Sequence, residues 1–108
     1  MRIYIIGTYS ANHPREVLRN VNRAIDIGIE LMKKGHAVFI PHLSHYIHLR
    51  PYCPFEYEEY IRNDIEWLKV SDAVFFINHS NGGDRELEIA KSLGLKIYTN
   101  LGDVEKNE

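Results

Sequence analysis

The chain has 108 residues, of which 44% are hydrophobic, and its formal net charge is −2. This length fits one compact domain and excludes two domains of ordinary size. The weakly acidic balance gives no broad basic surface for a nucleic acid polymer, and no apolar run approaches the ~18 residues that a membrane span needs. The single cysteine, Cys53, excludes an internal disulfide and suits a reducing compartment. Because no signal-peptide pattern precedes the first apolar run, we expect a cytoplasmic protein that does not bind membranes.

The first part of the chain has the pattern of a β-α-β unit. A continuous apolar run at residues 3–7 predicts a buried strand. A long helix follows, with Asn12 as a candidate cap, Pro14 in the first turn and Gly35 after the last turn. Residues 37–40 form the second predicted strand, which closes the unit. The helix has its apolar residues at helical spacing: Val17, Leu18, Val21, Ala24, Ile25, Gly28, Leu31 and Met32.

The remaining elements continue the alternation of helices and strands. Residues 41–54 hold three prolines and three histidines, and we expect an irregular segment that packs over a substrate. A helix is predicted from residue 55 or 56 to about residue 70, and a buried strand at 73–77. A short helix then ends at Gly94, and residues 95–98 supply a fourth strand.

This alternation indicates a three-layer α/β/α fold, Rossmann-like or flavodoxin-like, with a parallel sheet of about four strands. We place a single domain at residues 1–101. Residues 102–108 are polar, and we expect them to form a frayed tail.

The stretch at residues 80–90 is where the sequence places the chemistry. It follows the third predicted strand and contains Gly82, Gly83 and, one turn later, Glu86. A strand, a glycine-rich turn and a helix bring backbone N–H groups to the carboxyl edge of a parallel sheet, where such sheets bind polar ligands. Taken alone, the pattern favours a purely structural turn, with Glu86 near the positive end of the helix dipole.

Other polar groups should meet this stretch at the same edge. Tyr9 follows the first predicted strand, and Asp64 is a carboxylate on an otherwise apolar and aromatic helix face. A Glu and an Asp that face one cleft suit the cleavage of a glycosidic bond, because one attacks the anomeric carbon while the other protonates the departing group. Burial and like-charge proximity would then separate the two pKa values.

Three alternatives stay open or are disfavoured at this point. His42, His45 and His48 invite a metal site, but the segment offers no carboxylate partner, and we expect neither a metal nor a cofactor. Cys53 has no nearby base in the sequence, which argues against a nucleophilic thiol. A set of aromatic residues could stack on a nucleobase, pack in a core or form a dimer contact: Tyr46, Tyr52, Phe55, Tyr57 and Tyr60.

These residues resemble the nucleoside 2-deoxyribosyltransferase-like family, which includes deoxynucleoside 5′-monophosphate N-glycosidases. The resemblance covers nearly the whole chain, and the segments that carry it include Ile-Gly-Thr at 6–8 followed by Tyr9, the run at 57–64, and Gly82-x-x-x-Glu86-x-x-x-Ala90. It implies that Glu86 is the nucleophile, that Asp64 positions and protonates the nucleobase, and that Tyr9 binds substrate. Glu88 competes for the nucleophilic role but does not fit the spacing.

The resemblance also implies further substrate contacts. Ser80 matches a position where the monophosphate hydrolases place a serine on the 5′-phosphate, which tilts the expected substrate toward a nucleotide. Gly82 belongs to the nucleophile motif, and His45 to a stretch shared with small uncharacterised relatives. Arg15 is a candidate phosphate contact, although a solvated helix arginine is the simpler explanation. Asp84 departs from the pattern, because many relatives carry a glycine there.

The sequence therefore predicts an enzyme that cleaves the N-glycosidic bond, or transfers the deoxyribosyl group, of a nucleoside or nucleoside 5′-monophosphate. The alternative is a nucleotide-binding module without catalysis. Family sites lie at subunit interfaces, so the resemblance also implies a homodimer or a larger homo-oligomer.

Overall fold

Four parallel strands form one sheet in the computed structural model, which describes residues 1–107. They are β1 (Arg2–Ile6), β2 (Ala37–Phe39), β3 (Ala73–Phe76) and β4 (Lys96–Tyr98). Their order in the sheet is β2-β1-β3-β4. The two central strands, β1 and β3, are the continuously apolar runs of the sequence, as expected for strands covered on both faces.

The helices cover both faces of this sheet, so the predicted three-layer α/β/α fold is confirmed. They are α1 (Pro14–Lys33), α2 (Ser44–His48), α3 (Tyr57–Lys69) and α4 (Asn81–Ser92). Side chains of β1 alternate between two cores, with Ile3 and Ile5 packed on the α1 side and Tyr4 and Ile6 on the side of α3 and α4. None of the helices within residues 1–107 has the length and hydropathy needed to cross a membrane.

Two features of α1 follow from its sequence, and one prediction about it is wrong. Its apolar stripe includes Gly28, where a Cβ would lie 2.5 Å from Cδ1 of Ile40, so a larger residue there would force the end of the Ile40 side chain to shift. The chain leaves the helix at Gly35, whose φ of 90° is the left-handed conformation that glycine adopts without strain. The N-cap is His13 rather than Asn12, because Nδ1 of His13 accepts a hydrogen bond from the backbone N–H of Arg15.

The segment between β2 and α3 is more regular than predicted. Residues 41–54 begin with a 3₁₀ turn, Pro41–Leu43, and continue into α2. The expectation of a wholly irregular segment is therefore wrong, because the prolines lie at residues 41, 51 and 54 and leave the stretch between them free to form helical hydrogen bonds.

The expectation of a frayed polar tail is also wrong. Leu101–Asp103 forms a 3₁₀ turn, and Val104 after it is buried in the core on the α1 side. The carbonyl groups of Leu101 and Val104 accept hydrogen bonds from Nζ of Lys34, and the backbone N–H of Asn107 donates to the carbonyl of Lys34. These hydrogen bonds hold the segment against the end of α1. Glu108, the last residue of the predicted tail, lies outside the described residues.

Candidate active site

A cavity of about 740 Å³ lies at the carboxyl edge of the sheet. Its wall comes from the loop after β1, the segment after β2, the first half of α3 and the start of α4. All four parts follow or flank the carboxyl ends of strands, which is where parallel α/β sheets bind their ligands. The volume is within the range of pockets for small molecules.

Glu86 is one of the carboxylates in this cavity. It lies in the second turn of α4, its residue is only 6% exposed, and it forms no ion pair with any of residues 1–107. Burial raises the pKa of Glu86 to about 7, and the charge of Asp64 adds to the rise. Glu88, in contrast, is exposed and lies 3.7 Å from Nζ of Lys91. Of the two candidate nucleophiles, only Glu86 faces the cavity.

Asp64 is the second buried carboxylate of the cavity. It lies on the face of α3 that also buries Ile61 and Leu68, and it is 6% exposed. Burial raises the pKa of Asp64 to about 6. The structure thus brings together the two carboxyl groups that the sequence predicted to share a cleft, one from α3 and one from α4.

Tyr4 belongs to this group and was missed by sequence reasoning, which assigned it to a buried strand. Its side chain is fully buried, and its hydroxyl has no hydrogen-bond partner of ordinary geometry within residues 1–107. Burial and the charges of Glu86 and Asp64 raise the pKa of Tyr4, whose contact in turn lowers that of Glu86. The available signal was a tyrosine in an aliphatic strand, since a buried tyrosine hydroxyl usually has a polar partner.

Tyr9 lines the cavity and is held from two sides. Its hydroxyl is 2.7 Å from Nδ1 of His45, and its backbone carbonyl accepts a hydrogen bond from Nδ2 of Asn20. His45 itself is not part of the cavity wall. His45 therefore contacts Tyr9 behind the wall, and its contact with substrate stays a prediction.

The other two histidines of this segment also hold the wall of the cavity. Nε2 of His42 donates to the carbonyl of Gly7 at 3.0 Å, and burial lowers the pKa of His42. The ring of His48 packs edge-on against Tyr60. Each histidine therefore has a separate partner, and residues 1–107 contain no group of three His, Cys, Asp or Glu side chains placed to hold a metal ion.

The start of α4 contributes Ser80 and Gly82 to the wall. Oγ of Ser80 caps the helix by accepting a hydrogen bond from the backbone N–H of Gly83 at 3.0 Å, which leaves the hydroxyl hydrogen free to donate to a ligand. A Cβ on Gly82 would lie 2.5 Å from the hydroxyl oxygen of Tyr57, so this glycine lets Tyr57 close that side of the cavity.

Two other residues singled out by the sequence lie elsewhere. Arg15 is exposed on α1 and borders a separate shallow groove with Arg19 and Arg23, so the structure does not place it at the cavity as predicted. Asp84 is exposed and lies 2.7 Å from Nδ1 of His79, and it takes no part in the wall. The carboxylate of Asp84 therefore lies at the surface and not in the cavity wall.

Comparison with known proteins assigns the chain to a family. Residues 1–100 match the family described as a domain of unknown function, DUF7768. The chain belongs to this family. No curated protein matches the chain.

A solved structure of a 2-deoxyribosyltransferase from the psychrotolerant bacterium Bacillus psychrosaccharolyticus is similar to this DUF7768 domain. The similarity covers 100% of this chain and 93% of that chain, with a TM-score of 0.65 and 22% identity. The DUF7768 domain therefore has the nucleoside 2-deoxyribosyltransferase-like fold that the sequence resemblance predicted. At this level of identity the similarity shows the fold alone.

Proposed function

We propose that this DUF7768 domain cleaves the N-glycosidic bond of a nucleoside or nucleoside 5′-monophosphate, by hydrolysis or by transfer of a deoxyribosyl group. The observation that supports this most is the pair of buried carboxyl groups, Asp64 and Glu86, at one cavity. The similarity in fold to a 2-deoxyribosyltransferase agrees with the proposal. A pair of carboxyl groups in one cleft is the equipment that glycosidic cleavage requires.

In the first step, an oxygen of the ionised Glu86 attacks the anomeric carbon of the sugar. The bond from this carbon to the base breaks, its electron pair goes to the base, and the base takes a proton from Asp64. The buried hydroxyl of Tyr4 favours the ionised form of Glu86, since their contact lowers the pKa of Glu86. The product of this step is a glycosyl ester on Glu86.

In the second step, water or another base attacks the same carbon and releases Glu86 as a carboxylate. Asp64, now ionised, accepts the proton of the attacking group. In this proposal Tyr9 and Ser80, which line the same cavity, hold the sugar and its 5′ group. The two carboxyl groups thus need to hold one proton between them at the start of the cycle.

Release of free base from a panel of ribonucleosides, deoxyribonucleosides and their 5′-monophosphates tests this proposal. We expect Glu86→Gln to lower the rate by about 10³-fold or more, because the amide is not a nucleophile. Glu88→Gln is the matched control on the same helix, and its exposed position predicts a wild-type rate.

Two results would contradict the proposal. Wild-type release by Glu86→Gln would remove Glu86 from the reaction. Saturable binding of nucleotides without release of base from any substrate, by folded wild-type protein, would favour the non-catalytic binding module.

We also propose that the chain forms a homodimer or a larger homo-oligomer. The segment from α2 to α3 leaves six large apolar side chains exposed: Leu43, Tyr46, Ile47, Leu49, Tyr52 and Phe55. Monomers rarely expose large apolar patches, and one of these side chains, Phe55, also lines the cavity. Light scattering after size exclusion should give at least twice the monomer mass, and Tyr52→Asp should lower it. A monomeric wild-type chain would contradict this proposal.

A further inference from the structure

The charges of the cavity wall indicate the kind of substrate that it accepts. Three carboxylates line the cavity, Glu56, Asp64 and Glu86, whereas none of its wall residues within 1–107 is a lysine or an arginine. Arg85, the residue before Glu86, is outside the wall and is hydrogen-bonded to Glu58 at 3.1 Å. The wall also contains His42 and His48, so a ligand anion would find histidines but no lysine or arginine there, while a ligand cation would be attracted by the carboxylates.

Aromatic rings make up much of the rest of the wall. We call this set the aromatic wall: Tyr9, Phe55, Tyr57 and Tyr60. Two of its rings, Phe55 and Tyr60, pack edge to face with centroids 5.9 Å apart. Aromatic faces attract cations within about 6 Å of their centres, and they also stack on flat heterocycles. A flat ring with a positive charge satisfies both the aromatic wall and the carboxylates.

The start of α4 is the feature that favours an anion instead. Its dipole and its free backbone N–H groups attract negative charge, but the N–H of Gly83 is already bonded to Oγ of Ser80. One helix N-terminus attracts an anion, whereas three carboxylates in the wall, two of them buried, repel it. The charges of the wall therefore favour a cationic ligand, whereas Ser80 suggested a nucleotide, which is an anion, in the sequence.

Building on the glycosidic activity proposed above, we infer that the preferred substrates are unphosphorylated nucleosides whose base carries a positive charge, such as a pyridinium or an N-alkylated purine. The chemistry of cleavage agrees with this choice. An oxygen of Glu86 forms a bond to the anomeric carbon, and the carbon–nitrogen bond breaks with its electron pair moving to the ring nitrogen. The base leaves as a neutral molecule and needs no proton, so Asp64 stays ionised and holds the cation.

Water completes the reaction. Its oxygen forms a bond to the anomeric carbon, the ester bond to Glu86 breaks, and the proton passes through Asp64 to solvent. The sum is a cationic nucleoside and water giving a neutral base, a free sugar and one proton.

Binding to Glu86→Gln, measured by titration calorimetry, tests the charge preference without turnover. Nicotinamide riboside is the cationic probe, and dihydronicotinamide riboside is a neutral molecule of nearly the same shape. We expect the cation to bind about tenfold more tightly, with the ratio falling as salt is added. Nicotinamide mononucleotide, which adds a 5′-phosphate, should bind more weakly than the riboside. Equal or weaker binding of the cationic riboside, or tighter binding of the mononucleotide, would overturn the inference.

Turnover separates this inference from the proposed function. Wild-type protein should release nicotinamide from the riboside, and its kcat/KM for the riboside should exceed that for neutral nucleosides. Asp64→Asn should slow neutral substrates by a larger factor than the cationic one, because only neutral bases need its proton. Efficient release from neutral nucleosides alone would overturn the inference and leave the proposed function standing. No release from any of these substrates would overturn the proposed function and the inference with it.

Discussion

The two edges of the sheet differ in how they treat polar side chains. At the amino edge the polar groups are paired: Oδ2 of Asp72 accepts from the N–H of Arg2 at 2.7 Å, and both ring nitrogens of His36 are hydrogen-bonded. At the carboxyl edge, Glu86 and Asp64 are buried without an ion pair among residues 1–107, and the hydroxyl of Tyr4 contacts Glu86 without a hydrogen bond of ordinary geometry.

This difference separates the part of the molecule that stabilises the fold from the part that is available for chemistry. A buried polar group without a partner destabilises the folded state, whereas a paired group does not. The polar groups at the carboxyl edge, which lie around a cavity, therefore lower the stability of the folded state. Substitutions at the carboxyl edge should therefore lower activity more than stability, and substitutions at the amino edge should lower stability more than activity.

The largest expected contrast is in catalysis, where Asp64→Asn removes the proton donor at the carboxyl edge. We expect release of neutral bases to fall by about 10²-fold or more, because asparagine cannot protonate the leaving group. Asp72→Asn is the matched change at the amino edge and should leave the rate unaltered. Steady-state base release measures both, and a near wild-type rate for Asp64→Asn would contradict the assignment.

The pH dependence sharpens this prediction. With pKa values of about 6 for Asp64 and about 7 for Glu86, the pair holds one proton between these pH values, mainly on Glu86. The reactive form, with Glu86 ionised and Asp64 protonated, is therefore the minor of the two one-proton forms, and its fraction is greatest in the same window. Below this window both groups are protonated and no nucleophile remains, while above it both are ionised and no acid remains. For neutral nucleosides, kcat/KM should therefore be greatest between about pH 6 and 7 and fall on both sides. A flat profile from pH 5 to 8 would contradict this assignment of roles.

The next contrast is in stability. The pKa values of Asp64 and Glu86 are raised by folding, so the folded state binds more protons than the unfolded state below about pH 7. These two groups should therefore lower the free energy of unfolding by about 4 kcal/mol as the pH rises from 5 to 8, while His42, whose pKa is lowered by burial, contributes in the opposite direction. Glu86→Gln should flatten this dependence and raise the stability at pH 8, as measured by urea titrations. Asp72→Asn should instead lower stability by about 1 kcal/mol, through its weakened hydrogen bond. Lower stability of Glu86→Gln at pH 8 would remove the distinction between the edges.

The smallest contrast concerns the C-terminal segment at the amino edge. Val104→Ala should lower the free energy of unfolding by about 2 kcal/mol, because it removes buried methyl groups and leaves a cavity. Val70→Ala is the exposed control and should change it by less than about 0.5 kcal/mol. Neither variant should change the rate of base release, since neither residue lies at the cavity wall. Loss of activity in Val104→Ala that exceeds its loss of folded protein would show that the two edges are coupled.

The fold could be predicted from the sequence because it depends on local patterns. Apolar runs marked all four strands, and apolar spacing marked the three main helices to within a few residues. The same patterns ordered the candidate site, since residues that follow successive parallel strands meet at one edge. Tyr9, Asp64, Ser80, Gly82 and Glu86 do line one cavity, while their chemical roles stay predictions.

Only the tertiary structure decided which polar groups meet. The pattern of β1 placed Tyr4 in the core, but α3 and α4 had to pack on that face before its hydroxyl could lie beside Asp64 and Glu86. Composition alone predicted a frayed end, yet Val104 is buried and the carbonyls around it pair with Lys34. Periodicity determines which face of an element is buried because it depends on neighbours in the chain. Partners that are far apart in sequence depend on how the elements pack, and no local pattern carries that information.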